Sequence, residues 1–212
     1  MTTKISVITP SIRPEGLKPN QEALQSQTFK DFEWLVEMGL PPKHDLNAAF
    51  NRMLKRAKGE LVVFMEDWTK CPPDGLQKFW DAYQREPKIF WTAPLGKTLD
   101  WKTQEWDWRA FSDAKPEWKC WEIDWACAPL SALKEIGGFD EELDDYWSSD
   151  NVNIAYRAFL AGYGFKLLSN NPAIALDHDK LTKHPFRDRY KPEFNNMRMS
   201  YFTAGNKIDY LK

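Results

Sequence analysis

The sequence predicts an α/β protein built on a mixed, mostly parallel central sheet flanked by helices. Three observations carry that prediction. Segments of strand and helix character alternate three times within the first 85 residues, and right-handed crossovers between such units lay their strands parallel. The run Leu61-Val62-Val63-Phe64-Met65 is apolar at every position, the pattern of a strand buried on both faces. It stops at two adjacent carboxylates, Glu66 and Asp67, and in open parallel sheets ligands bind beyond the carboxyl ends of the strands.

Taken in order, Lys4-Ile5-Ser6-Val7-Ile8-Thr9 reads as a first strand closed by Pro10. A helix follows from about Leu17 to Gln27, with Pro19 expected to delay its firm start. Phe32 to Glu37 is a second strand, again ending on an acid. The clearest helix places Leu46, Ala49, Phe50, Met53, Leu54 and Ala57 on one face at the 3.6-residue period. Asp45 is its expected N-cap and Gly59 its expected stop, while Asn47, Asn51 and Lys55 fall on a polar, solvated face. After the central strand, a helix from about Asp74 to Arg85 buries Leu76, Phe79, Trp80 and Tyr83.

The second half is less regular. Residues 88–95 read as a strand, and residues 96–121 as an elaborated loop or small hairpin in which Trp alternates with charge. Glu122 to Ala128 reads as a buried strand, and Leu130 to Ile136 as a short helix stopped by Gly137-Gly138. An acidic loop leads to Ser149-Asp150. From there a helix runs to Ala161 with Val152, Ala155, Tyr156 and Phe159 inward. Phe165 to Leu168 and Ala173 to Leu176 are short strands, the second leading to Asp177-His178-Asp179.

Composition narrows the class. With 212 residues, 42% hydrophobic and 28% charged, the chain has the balance of one well-buried globular domain. No apolar run approaches the length of a membrane span and no signal peptide precedes the first strand. Three cysteines, Cys71, Cys120 and Cys127, make no close metal-binding pair and are expected to be reduced, which points to the cytoplasm. From Lys180 onward the net charge is +5, leaving −7 on the preceding residues; such a basic tail suits an anionic ligand. Seven of the 11 Trp fall between Trp91 and Trp125, a supply of aromatic faces on which sugars or bases could stack.

These residues together resemble the glycosyltransferase family 2 type of GT-A fold, from Lys4 to about His178. Ile5-Ser6-Val7-Ile8-Thr9-Pro10-Ser11 is similar to the family's first strand and nucleotide-contacting turn. The segment from Gln27 to Val36 resembles its second strand and lead-in, and Ala49-Phe50-Asn51 with Lys58-Gly59-Glu60 resembles the approach to its metal motif. The most specific piece is Ile136-Gly137-Gly138-Phe139-Asp140-Glu141, followed by Ser149-Asp150, Arg157 and Gly162-Tyr163. The chain departs from the pattern at Trp68, where the usual Asp-x-Asp would place its second Asp. It departs again at Ser149, where Glu is usual, and at Glu37, which stands alone for an acidic pair. The membrane helices and Gln-x-x-Arg-Trp motif of the family's processive polysaccharide synthases are absent.

The resemblance implies a GT-A domain over residues 1–179, with a nucleotide-binding half (1–95), an acceptor half (96–179) and a basic extension (180–212) packing on or closing over the site. It implies inverting transfer of one sugar from a nucleotide-diphosphate sugar, UDP-linked, to a hydroxyl of a glycan or other acceptor. Asp150, at a helix start, is the expected base. Pro10, Ser11, Arg13, Glu37, Asn51, Glu66 and Asp67 are expected at the donor. Mn²⁺ or Mg²⁺ is expected on Glu66, Asp67 and His178, and Asp124, Trp125 and Trp147 border the sugar and acceptor. Two alternatives stay open. One is transfer to a hydroxylated base in DNA, which the overall charge does not favour; the other is a non-catalytic nucleotide- or glycan-binding module that keeps a degenerate metal site.

Overall fold

A computed structural model describes residues 3–39, 45–98, 101, 105–106, 117–145, 150–176 and 209–212. Its larger sheet is built from β1 (Ile5–Ser11), β2 (Phe32–Met38), β3 (Leu61–Met65), β5 (Ile89–Thr92), β8 (Trp125–Pro129) and β9 (Gly164–Leu167), in the spatial order β2-β1-β3-β8-β5-β9. β1 pairs parallel with β2 and β3, and β5 with β9, whereas β8 runs antiparallel between β3 and β5. A smaller sheet joins β4 (Thr69–Lys70), β10 (Ala173–Leu176), β6 (Leu95–Thr98) and β7 (Glu105–Trp106), in that order. The helices are α1 (Leu17–Gln25), α2 (Leu46–Arg56), α3 (Gly75–Arg85), α4 (Leu130–Glu135) and α5 (Asp150–Leu160).

The period-2 alternation of β3 explains why every one of its residues is apolar. Leu61, Val63 and Met65 join one core with Leu76 and Phe79 of α3 and Trp125, whereas Val62 and Phe64 join a second core with α2, α4 and α5. The second core is aromatic at its centre. Phe64 meets Trp121 edge-on at 5.4 Å between centroids, and Phe50 stacks on Phe139 at 4.5 Å.

Several local expectations are corrected. α1 begins at Leu17 in spite of Pro19, since the missing N–H of a first-turn proline has no partner within the helix anyway. Gly59 does not end α2; the helix closes at Arg56. A Cβ on Gly59 would stand 2.4 Å from Ser6 N, so glycine is required there by the approach of the chain to β1. Asp45 makes no side-chain cap. The carboxylate of Asp144, far along the chain, accepts from Asn47 N at 2.6 Å and Ala48 N at 3.1 Å instead. Asn47 and Asn51 are not solvated but 1% exposed each. α5 is rotated from the expected face: Asn153, Ile154, Ala155 and Ala158 are buried, Val152 and Tyr156 half-buried, and Phe159 is 50% exposed. β8 starts at Trp125, three residues later than expected, because its ladder begins at the Met65↔Trp125 pair where β3 ends.

Candidate active site

The carboxyl ends of β1, β2 and β3 lie along one edge of the sheet, and the antiparallel β8 brings its amino end to the same edge. Four stretches therefore converge there: Pro10 to Arg13, Glu37-Met38, Glu66 to Trp68, and Asp124-Trp125. The Glu66 N–H donates to Asp124 O at 2.9 Å, which ties two of them directly.

Asp67 is buried and accepts from Ser11 Oγ at 2.6 Å; Ser11 Oγ in turn accepts from Arg13 N at 3.0 Å. The turn after β1 and the acid after β3 are thus locked as one unit. Glu66 faces the other way. Its Oε2 stands 3.8 Å from Lys97 Nζ, which is also 3.8 Å from Asp124 Oδ2. Asn20, fully buried on α1, straps the turn from behind: its Nδ2 donates to Glu66 O at 2.8 Å and its Oδ1 accepts from Thr69 N at 3.0 Å.

Trp68 takes the place of a carboxylate with a structural task. Its φ of 60° lies in the left-handed region, a strained conformation for so bulky a residue. Its N–H donates to Gly16 O at 2.8 Å and its carbonyl accepts from Leu176 N at 3.1 Å. The indole lies against Gly16, where an added Cβ would come within 2.6 Å of Nε1. Trp68 therefore clamps the Pro14–Gly16 turn and the end of β10 to the acidic motif. His178 follows β10 by two residues and lies outside the described residues, as does Trp147. Among the described residues no three His, Cys, Asp or Glu side chains converge as a complete metal site. The acids present suit a divalent ion as oxygen donors, but Asp67 and Glu66 point to different partners.

Other expected site residues divide. Glu37 stands at the end of β2, paired with Arg52 at 2.7 Å and Arg56 at 3.1 Å. Asn51 donates to Phe139 O at 2.8 Å and Glu141 Oε1 at 2.9 Å, and its Oδ1 accepts from Phe139 N at 2.8 Å. Its amide is spent on fixing the Gly-Gly-Phe-Asp-Glu loop. Trp125 is 1% exposed, packed on Phe79 at 4.8 Å and donating to Asn171 O at 2.9 Å, so its ring belongs to the core and not to a sugar platform. Asp124 is half-buried beside Lys97. Asp150 is the first residue of α5; its side chain is outside the described set, but Asn151 donates to Trp121 O at 3.2 Å and Glu122 Oε2 at 2.8 Å, fixing that helix start beside the Asp124 segment.

Burial pushes Asp144 up to about 6 even though Asn47 and Ala48 hydrogen-bond its carboxylate, with Asp45 adding a like charge. The chain's last described segment docks on the same loop: Tyr210 OH donates to Asp140 Oδ1 at 2.8 Å, and Leu211 packs against Gly138. Sequence reading passed over Asn20, Lys97, Asp144 and Tyr210. A lone Lys or Asn carries no spacing signal, and their partners lie tens of residues away.

No protein-family profile and no curated protein matches the sequence. Solved structures do match. S. aureus TarS residues 1–349 in complex with UDP-GlcNAc aligns with a TM-score of 0.72 at 15% identity, over 98% of this chain and 68% of that one. The same protein in complex with UDP gives 0.69 at 15% identity, over 98% and 67%. Against a longer TarS chain the TM-score is 0.65, and this chain spans 41% of its length. At that identity the likeness is one of architecture, and it agrees with the strand order and the antiparallel β8: the chain has the GT-A fold.

Proposed function

We propose that this chain is an inverting glycosyltransferase that moves one sugar from a UDP-linked donor to an acceptor hydroxyl. The observation that carries the proposal is the convergence of the Ser11–Asp67 pair, Glu66 and Asp124 at the carboxyl edge of a GT-A sheet. TarS structures with that fold are complexes with UDP and UDP-GlcNAc, which supports a nucleotide-sugar donor. Pro10, Ser11, Arg13 and Glu37 border the nucleoside side, with Glu37 sharing its carboxylate between α2 arginines and a ribose or base edge. Asp124 borders the sugar, and Trp147 the acceptor.

In the reaction the acceptor oxygen attacks the anomeric carbon from the face opposite the diphosphate, and Asp150 takes its proton as the new bond forms. Asp150 opens α5, where the positive end of the helix dipole favours a negatively charged side chain. With Glu66 turned from Lys97 toward Asp67, these two acids and His178 would hold a Mn²⁺ or Mg²⁺ ion, which would supply positive charge to the departing diphosphate. The Asp67–Ser11 bond and the Asn20 strap fix where the phosphates lie before reaction, so little reorganisation is left for the transition state. Residues 1–179 form the transferase domain in this reading, with residues 180–212 packing on or closing over the site. Cys71, Cys120 and Cys127 are all free and buried, in keeping with a cytoplasmic protein.

One observation favours a second reading, a binding module without turnover: Trp68 is built into the scaffold where the fold's metal motif usually has an acid. Asp150→Asn separates the two. As a transferase, the variant loses about 10²–10⁴-fold in donor turnover while UDP binding is kept. As a binding module, wild type and variant show the same absence of turnover.

A further inference from the structure

We propose that Tyr210 is a positioning residue of the transferase site: with Leu211 it holds the Gly137–Asp140 loop against α5 and so sets where the helix that opens on Asp150 stands. The inference rests on the transferase reading above and deepens it. Gly137 and Gly138 both take positive φ, 80° and 77°, a turn that only glycine makes without strain. Arg157 of α5 donates through Nη1 to Ile136 O and through Nη2 to Gly138 O, both at 2.6 Å. The carbonyl between them, Gly137 O, accepts from Tyr210 N at 3.0 Å. One guanidinium and one backbone N–H thus take three carbonyls in a row.

A planar fork has fixed donor directions, so a loop that shifts carries the guanidinium and its helix with it. Arg157 Nε is tied in turn to the buried Asn153 at 2.9 Å, one turn nearer the helix start. Residue 150 lies about two turns before Arg157 in the same helix. Tyr210 also reaches the far end of the loop. Its hydroxyl donates at 2.8 Å to Asp140 Oδ1, the oxygen that accepts from Glu142 N at 3.1 Å, and Asp140 is buried. Leu211 covers Gly138, where an added Cβ would stand 2.9 Å from its Cγ, and packs against the aromatic core. Asn51 fixes Phe139 in the middle of the loop, so losing the Tyr210 hydroxyl shifts the loop without unfolding it. Such a shift moves the start of α5 relative to the acceptor oxygen and leaves the Ser11–Asp67 pair in place. Its cost falls on turnover and not on donor binding.

The test compares wild type and Tyr210→Phe, which keeps the ring and the bond to Gly137 and removes one O–H. UDP affinity is measured by calorimetry, turnover with a panel of UDP-hexoses, and opening of α5 by amide hydrogen exchange. Melting curves check the fold. Tyr210→Phe should bind UDP as wild type does and lower kcat by about tenfold or more at unchanged donor KM. Exchange should quicken in the first half of α5 and stay unchanged in β3. Wild-type kcat, or wild-type exchange in α5, overturns the proposal and leaves the transferase reading standing. A loss of UDP affinity that matches the loss of turnover overturns it too, since that marks a general loosening. A folded wild type that turns over none of the panel overturns the transferase reading and this proposal with it. If Tyr210→Phe melts too early, Leu211→Val, which keeps the hydroxyl and trims only the contact over Gly138, carries the same comparison.

Discussion

Asn51 and Asp144 are two buried polar residues on one interface, and each does a task that a sequence pattern assigns elsewhere. Asn51 satisfies both backbone groups of Phe139, which lies 88 residues away. Removing its amide strands a buried N–H and C=O, and Asn51→Ala should cost about 2–4 kcal/mol in urea unfolding. UDP affinity of the folded variant should be unchanged, which distinguishes this task from a donor contact. Asp144 gives a pH signature. Its carboxyl titrates near 6 in the folded protein against an ordinary 3.8, so the folded state holds the proton more tightly than the unfolded chain. The stabilisation is full below about 4, is lost as pH rises through 6, and amounts to about 3 kcal/mol across that window. Asp144→Asn should abolish this component, measured as the difference between wild-type and variant unfolding free energies from pH 4 to 7.

At the scale of elements, what could be read ahead was what local chemistry decides. The apolar run of β3 and the amphipathic period of α2 forced their elements. The Gly137-Gly138 stop after α4 was legible for the same reason, since both glycines sit at positive φ. Errors arose where distant chain decides. The cap of α2 came from Asp144 and not Asp45, and the face of α5 was set by the aromatic core around Trp121 rather than by its own hydrophobic count. Gly59 looked like a helix stop because glycine commonly is one, yet its neighbour is the backbone of β1. Gly59→Ala should therefore lower stability by about 1–3 kcal/mol in chemical denaturation, through overpacking against Ser6, with α2 helicity retained by circular dichroism.

For the whole molecule, the order of strands puts chemistry at one edge. β1 and β3 end there, β8 starts there, and the smaller sheet adds Lys97. That edge was legible because adjacent acids after a fully apolar strand have a place in the fold. Partners across the edge were not, since Ser11 and Asp67 are separated by 56 residues. No described helix is long and apolar enough to cross a membrane. The central claim is that a nucleoside diphosphate binds where Ser11, Asp67, Glu66 and Asp124 meet. It is tested most directly by the melting temperature of wild type and Asp67→Asn with UDP and Mn²⁺, since a ligand bound to the native state raises it by mass action. The account predicts a rise for wild type and a much smaller one for Asp67→Asn, whose side chain can still accept from Ser11. A folded wild type that shows no rise with UDP or any other nucleoside diphosphate would contradict it.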